Sequence, residues 1–259
     1  MKDEKVKPPT PLMLAQLGFV ISQQTLKTLG ESEKELSFEE VQMMISSPEE
    51  SKTLRELVEK NAMSVFGIIL DIWKREKEKN SKFWKECLGI EVPFDKLGIP
   101  EAGADMKVLD YSPSVKTIST QKIFDAYAKK FGKDKVYNHY SKKGIDDSIK
   151  TQQARPERDY LFRHRGGKEP DVEHRNKDYN TFSIDGNKYM IPREGIISAF
   201  RYRFETGVMY DVVGATFFHA LDSNGEMMYM YRYHNGRFHI DWGNRTCHDG
   251  RFGPRQIGF

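Results

Sequence analysis

The pattern of hydrophobic and polar positions has a helical period in the first half of the chain and a strand period near its end. In the first half, several segments combine an N-cap residue with apolar positions on one face, which is typical of amphipathic helices. These segments begin at Thr10, Ser37, Ser47 and Ser119. The third is expected to end near Lys79 and to be followed by a short aromatic turn at Phe83 and Trp84. We therefore predict a helical region over residues 1–138.

Strand-like alternation begins at about Gly214 and predicts an antiparallel β-meander. Its strands are expected at residues 214–221, 226–233 and 237–242. The pair Asn235–Gly236 joins the last two strands. We expect a type I′ turn there, because this dipeptide favours positive φ at both central positions.

The third strand of the predicted meander has two chemically different faces. Along it, Phe238, Ile240 and Trp242 alternate with Arg237, His239 and Asp241. We expect the first set to face the core, since one face of an antiparallel sheet is commonly buried. The second set is then left for solvent or for a functional site.

One more helix is predicted in the second half, with Pro192 in its first turn and Gly207 as its C-cap. Before it, residues 160–165 alternate as a short strand, and residues 139–158 contain few large apolar groups. The sequence thus predicts an α+β fold in three parts. These are a helical region over 1–138, a linker or extended segment over 139–158, and a domain over 159–259 with one helix packed on an antiparallel sheet.

The composition is typical of a globular protein with a strongly solvated surface, since 38% of the residues are hydrophobic and 31% are charged. A net charge of +3 is too small to make the whole chain a polyanion binder. Cys87 and Cys247 cannot form a disulfide framework. No apolar run reaches the roughly 20 residues that a membrane helix needs. We expect a cytoplasmic chain without a membrane segment.

The kind of cationic residue changes near residue 139, from lysine before it to arginine interleaved with tyrosine and phenylalanine after it. Arginine and aromatic rings make bidentate or stacked contacts, which favours a recognition surface in the second half. The candidate binding residues are Arg163, Arg165, Arg201, Arg203 and Arg237. The partner expected first is a protein, and the second is a nucleic acid.

Residues 163–174 hold the densest group of candidate ligands. Arg163 and Arg165 precede two glycines, a combination that could bind an anion, or the arginines could pair with nearby acids on the surface. Metal-ligating atoms are offered by Glu169, Asp171, Glu173 and His174. Their spacing matches no known metal cage, so we expect neither a metal nor a cofactor, and a solvated acidic loop is the alternative interpretation.

Histidines of the predicted meander support an enzymatic alternative. The candidate catalytic residues are His219, His234, His239 and Asp241, with the consecutive Cys247, His248 and Asp249 as a weaker set. If two of the histidines meet, the aspartate can orient one imidazole for the acid–base chemistry of a small hydrolase. A pocket uniting these groups would favour an enzyme, and a flat surface of arginine and tyrosine would favour a binding module.

A pattern within residues 155–177 resembles known proteins. It comprises Arg155-Pro156, Asp159-Tyr160, Arg163, Arg165, Glu169-Pro170-Asp171, Glu173-His174 and Asn176-Lys177, and the helix from Pro192 follows it. In this pattern the second half resembles an uncharacterised group of bacterial proteins with no known activity. The resemblance implies the domain division and no chemistry. The function that the sequence favours is a non-enzymatic binding or interaction module.

Overall fold

The structure is a computed structural model that describes residues 74–98, 100 and 106–258. The helix starts predicted at Thr10, Ser37 and Ser47 lie outside these residues. Contacts group Glu76–Phe259 into one compact unit. Among the described residues, no helix combines the length and the apolar character that crossing a membrane requires.

Five helices lie in the described part of the chain. Helix α1 covers residues 74–88 and is followed by α2 (Thr120–Phe131), α3 (Ile145–Ser148), α4 (Tyr179–Phe182) and α5 (Pro192–Thr206). Single 3₁₀ turns lie at Phe94–Lys96, Lys133–Lys135 and Val172–His174.

The strands form two sheets. They are β1 (Val108–Ser112), β2 (Val136–Asn138), β3 (Ile149–Gln152), β4 (Tyr160–His164), β5 (Ala215–Asp222), β6 (Met227–Arg232), β7 (Phe238–Gly243), β8 (Phe252–Pro254) and β9 (Ile257–Gly258). The smaller sheet has the order β1-β4-β9 and is antiparallel. The larger has the order β2-β7-β6-β5-β3, with β8 paired to β5. The predicted antiparallel meander is confirmed as β5-β6-β7. The sheet around it is mixed, because β2 pairs in parallel with β7 and β8 pairs in parallel with β5.

The turn between β6 and β7 differs from the predicted type I′. Gly236 has a φ of 81°, but Asn235 is not among the non-glycine residues with positive φ. The N–H of Gly236 donates to the carbonyl of Tyr233 at 2.8 Å, and the N–H of Tyr233 donates to the carbonyl of Arg237 at 2.8 Å. This is the three-residue loop in which a type I turn is followed by a left-handed glycine. Only one position therefore needs positive φ.

Helix α5 is the element on which both sheets converge, and its boundaries follow the predicted signals. Pro192 occupies the first turn, and Gly207 has the left-handed conformation at the end, with a φ of 73°. The carboxylate of Glu194 accepts a hydrogen bond from the N–H of Ile191 at 3.0 Å, which satisfies an otherwise free donor at the N-terminus. Gly195 lets the ring of Phe218 on β5 approach the helix closely, because a Cβ there would collide with the ring.

Residues from both predicted domains share one core. Ser119 caps α2 as predicted, by accepting a hydrogen bond from the N–H of Lys122 at 3.2 Å. From α2, the ring of Tyr127 lies 5.3 Å from that of Phe200 on α5 and 4.9 Å from that of Phe238 on β7. The segment 139–158 contains α3 and β3, and β3 pairs with β5. The structure thus places no domain boundary at 139–158.

Helix α1 corrects the expected end near Lys79, because it continues without a break through the predicted aromatic turn to residue 88. Phe83 and Trp84 are fully buried within it. Phe83 packs against Phe200 on α5, with ring centroids 4.8 Å apart. The burial of these two rings explains why the helix extends, since a turn there would expose them to water.

Candidate functional site

A cavity of about 170 Å³ lies where α1, β1, the end of β4 and α5 meet. Its polar lining includes Glu76, Asp110, His164, Ser198, Arg201 and Glu205. This set contains the side-chain types of a hydrolytic site, so its hydrogen bonds decide whether it can perform chemistry.

Asp110 is the centre of this buried polar cluster and is 1% exposed. Its Oδ2 accepts a hydrogen bond from the Ser198 hydroxyl at 2.6 Å and lies 2.9 Å from Nε2 of His164. Its Oδ1 accepts from Nη1 of Arg201 at 2.6 Å. Burial alone would raise the pKa of Asp110, but the Arg201 guanidinium and the hydrogen bonds from His164 and Ser198 hold it well below its ordinary value.

His164 does not face Ser198 as a base. The N–H of Gly166 donates to Nδ1 of His164 at 3.1 Å, so Nδ1 is unprotonated and Nε2 carries the proton. Nε2 is also the nitrogen nearest to the Ser198 hydroxyl, at 3.4 Å. A nucleophilic serine needs an unprotonated imidazole nitrogen facing it. The arrangement therefore does not activate Ser198.

Arg201 is 3% exposed and is enclosed by carboxylates. Its Nη2 donates to Glu76 at 2.5 Å and its Nε donates to Glu205 at 2.6 Å, in addition to the bond with Asp110. Burial alone would lower the pKa of Arg201, but these carboxylates raise it above its ordinary value. Because every arm of the guanidinium has an acidic partner, the cluster joins α1, β1 and α5 as a structural network.

The candidate binding arginines do not form one surface. Arg201 is buried in the polar cluster, and Arg165 pairs with Glu173. Arg203 stacks over the ring of Phe131 at 4.2 Å. Arg163 lies half-buried on β4 in the smaller sheet, whereas Arg237 is exposed beside β7 in the larger one. Alternation along a strand is a local property, so it could not show that these positions belong to different sheets.

Three of the candidate metal ligands do come together. Ligating atoms of Asp171, Glu173 and His174 lie within 4.8 Å of one another. Each is already engaged: Asp171 accepts from the N–H of Gln256 at 2.7 Å, Glu173 pairs with Arg165, and Nε2 of His174 lies 3.2 Å from the Gln256 amide oxygen. The fourth candidate, Glu169, accepts hydrogen bonds from the N–H groups of Val212, Val213 and Gly214 instead. These acids stabilise loops.

The histidines proposed for catalysis are divided between different surroundings. The ring of His219 on β5 packs against Tyr179 and Phe182, at 5.8 and 5.9 Å. The ring of His239 on β7 packs among tyrosines. His234 lies in the exposed β6–β7 turn, and Cys247 is exposed with its N–H donating to the carbonyl of Asn244 at 2.9 Å. The structure does not unite these groups in one pocket.

A group of aromatic rings crosses the larger sheet on the side opposite to α5. We call it the aromatic face, and its members are Tyr137, Tyr229, Tyr231, Tyr233 and His239. In the strand register, Tyr137 on β2 pairs with His239 on β7, and His239 pairs with Tyr231 on β6. Because the three strands are neighbours, the rings stand in one row.

The rings of this row are close and nearly parallel around His239. Its imidazole lies 4.7 Å from the ring of Tyr137 at an interplanar angle of 33° and 5.0 Å from that of Tyr233 at 25°. Tyr231 lies at 5.0 Å and is more tilted. At the ends of the row, Tyr137 is 41% exposed and Tyr233 is 38% exposed. The row is therefore buried in its middle and partly exposed at both ends, and at the second end the imidazole of His234 lies 3.9 Å from the ring of Tyr233.

His239 itself is 8% exposed, and neither of its ring nitrogens has a hydrogen-bond partner among the described residues. Burial lowers the pKa of His239, although Asp241 acts in the opposite direction. The imidazole is thus held as a flat, uncharged ring. Its contacts on this face are ring contacts, with Tyr137, Tyr231 and Tyr233.

Asp241 lies beside the row and contacts both Tyr231 and His139. Its carboxylate accepts a hydrogen bond from the Tyr231 hydroxyl at 3.5 Å and lies 3.7 Å from Nδ1 of His139. Burial, followed by the charge of Asp241, raises the pKa of Tyr231 to about 12. Trp242, expected in the core, is instead 41% exposed, because β7 extends beyond the end of the short β2.

The sequence indicated His239 and Asp241 but missed the residues that surround them. Tyr137 and His139 belong to a region that no strand was predicted to cross, since β2 has only three residues and pairs with a strand far along the chain. Asp110 and Ser198 were also missed, for a different reason. They converge through tertiary packing, and neither carries a local motif.

No protein family, curated protein or solved structure matches the chain. The resemblance of residues 155–177 to a bacterial group therefore stays a prediction.

Proposed function

We propose that this chain is a non-enzymatic binding module and that the aromatic face is its binding surface. The observation that carries the proposal is the row of rings that is packed in its centre and partly exposed at its ends, at Tyr137 and Tyr233. Tyrosine offers a rigid ring of large area that loses little conformational entropy on binding, and it is enriched among the residues that dominate binding energies.

The hydrolase alternative has weaker support. In the cavity, the proton on Nε2 of His164 faces Ser198, and the Asp110 carboxylate is held by charged and neutral donors. Such a carboxylate is too weak a base to deprotonate a serine hydroxyl, since its pKa is far below that of the hydroxyl. The meander histidines lie apart, and His239 has its nitrogens covered. In contrast to the buried cluster, the ring row is partly exposed and can be reached by a ligand.

The proposal is tested by the size of the complex that the full chain forms in an extract of its native cells. A tagged wild-type chain is expected to migrate in a complex larger than its own 30.1 kDa. The double variant Tyr137→Ala, Tyr233→Ala is expected to migrate alone, because it removes both exposed ends of the row.

A matched control replaces an exposed apolar residue away from the face. Ile184 is 83% exposed, and Ile184→Ala should leave the complex unchanged. Circular dichroism of each purified variant shows whether it is folded. A complex that persists in the folded double variant would disprove the aromatic face as the binding surface, whatever the partner.

A further inference from the structure

Resting on the proposed function, we infer that the ligand of the aromatic face is single-stranded nucleic acid, with an unpaired base stacked on the exposed end of the ring row at Tyr137. Every base has a flat π-face, and stacking on protein aromatic rings is a sequence-tolerant source of affinity. Sheets that present exposed aromatic residues are a recurring platform for such bases.

Tyr137 lies at the edge of the larger sheet, where the row of rings can be extended. β2 is the last strand in the order of the larger sheet, so no strand formed by the described residues lies beyond it. Inside the row, the ring planes of Tyr137 and Tyr233 are inclined to the plane of His239 by 33° and 25°. A base placed against the outer side of Tyr137 would continue the existing stack, whereas the ring of Tyr233 already has the imidazole of His234 at 3.9 Å.

The exposed cations near β2 suit a phosphate backbone, and the carboxylate of Asp241 on the same face is engaged by Tyr231 and His139. Lys133, Lys135 and Arg237 are exposed where β2 and β7 begin, and Lys142 and Lys143 are exposed beyond the end of β2. Nε of Arg237 donates to the carbonyl of Asp134 at 2.9 Å, which fixes this guanidinium beside the 3₁₀ turn that precedes β2. The nearby acid Asp134 is paired with Lys135 at 3.1 Å. Cations therefore flank both ends of the strand that carries Tyr137.

The buried imidazole favours a base over a peptide as the occupant. His239 is nine-tenths buried, and its nitrogens make no hydrogen bond to the described residues. At the centre of the face, His239 thus offers ring surface and no accessible hydrogen-bonding group. A peptide backbone brings donors and acceptors that would lose their water here without gaining partners, whereas a base presents an apolar π-face to the rings and keeps its polar edge in water.

The test is a titration of the purified full chain against a short fluorescent single-stranded oligonucleotide of mixed sequence at low salt. Wild-type chain is expected to raise the anisotropy in a saturable way, and an unlabelled duplex of the same sequence should compete poorly, because its bases are already stacked. Tyr137→Ala should weaken binding about tenfold, the value of one base–ring stack. Tyr137→Phe keeps the ring and should bind like wild type.

A second variant separates the charge contribution from the stacking contribution. Arg237→Gln should lower the slope of log affinity against log salt concentration by about one, because one phosphate contact is lost. Tyr137→Ala should leave that slope unchanged. The off-face variant Ile184→Ala should change neither quantity.

The outcomes distinguish this inference from the function on which it rests. Saturable single-strand binding that the phenylalanine variant keeps and the alanine variant loses supports it. Binding that is equally tight to duplex, or equally tight after Tyr137→Ala, overturns it. If no oligonucleotide binds, while the complex in the cell extract depends on the face and survives nuclease treatment, the ligand is a protein and the proposed binding surface still stands.

Discussion

The buried polar cluster around Asp110 and the aromatic face each contain a buried histidine, but the two histidines are in opposite states. In the cluster, each charged group is enclosed by partners: Arg201 by Glu76, Asp110 and Glu205, and Asp110 by Arg201, His164 and Ser198. On the face, His239 has no hydrogen-bond partner among the described residues, and two tyrosines keep about two-fifths of their area exposed.

This difference shows that a cavity lined by histidine, serine and aspartate is not by itself a reactive site. A ligand can bind only to hydrogen-bonding groups or ring surface that no other part of the protein already occupies. The cluster has used its hydrogen bonds to join secondary-structure elements, so its contribution is to stability. The face has left ring surface available, so its contribution is to binding.

The largest effect is expected from removing the cation of the cluster. Arg201→Met leaves Asp110 and Glu76 without their guanidinium partner and should lower the free energy of unfolding by about 3–5 kcal/mol, because breaking a buried ion pair strands a charge. Urea denaturation followed by circular dichroism measures the loss.

The matched control for this variant lies on the same helix. Arg203 stacks on Phe131 and has no carboxylate partner in the cluster, so Arg203→Met should cost less than about 1 kcal/mol. Equal losses for the two variants would show that the cluster contributes no more to stability than a surface contact does.

A smaller effect is expected at the turn that joins the two main strands of the aromatic face. Gly236 has a φ of 81°, which a β-branched residue adopts only with strain, so Gly236→Val should lower the free energy of unfolding by about 1–2 kcal/mol. A Cβ at Gly236 meets no atom closer than 3.8 Å, so the cost is conformational.

Gly250 provides the control for this substitution, since its φ is not positive and a Cβ there has nothing within 4 Å. Gly250→Val should leave the midpoint of thermal unfolding nearly unchanged. An unchanged midpoint for Gly236→Val as well would contradict the left-handed turn.

The smallest effect concerns the pH dependence of stability. Burial lowers the pKa of His239 in the folded chain, so the unfolded chain takes up the proton first as the pH falls. Stability should therefore decrease as the pH drops below about 6.5, the ordinary histidine value. His239→Phe keeps a flat ring and cannot titrate, so its stability should fall less steeply between about pH 6.5 and 5.

His174 and His219 also have pKa values lowered by burial and stay in the variant, so part of the slope will remain. Parallel curves for wild type and His239→Phe, measured by urea denaturation across this range, would show that the ring is not held uncharged by the fold.

The parts of the fold that the sequence predicted are those with local signals. Strands β5, β6 and β7 were found from alternation and from glycine turns, and α5 from Pro192 and Gly207. The fold class holds at this level, as a mixed α and β structure with an antiparallel meander. The position of His239 opposite to the buried Phe238 and Ile240 also followed from alternation.

What the sequence could not show depends on contacts between distant segments. β2 is too short for a periodic signal and exists because it pairs with β7. The extension of α1 to residue 88 depends on Phe200 of α5 and on Tyr111 of β1, which cover Phe83 and Trp84. The candidate arginines were grouped by composition, and only tertiary packing shows that Arg201 is buried and that Arg237 belongs to another sheet than Arg163.

The parallel pairing of β2 with β7 also determines when the aromatic face can exist. Arg237 at the start of β7 contacts Asp134 just before β2, and the two residues are 103 positions apart. Closing so long a segment costs chain entropy before the strand pairing contributes any stabilising contacts. This pairing is therefore expected late in folding. During synthesis, Tyr137 emerges from the ribosome well before His239. A nascent or truncated chain therefore carries separate tyrosines, and only the completed protein presents the row.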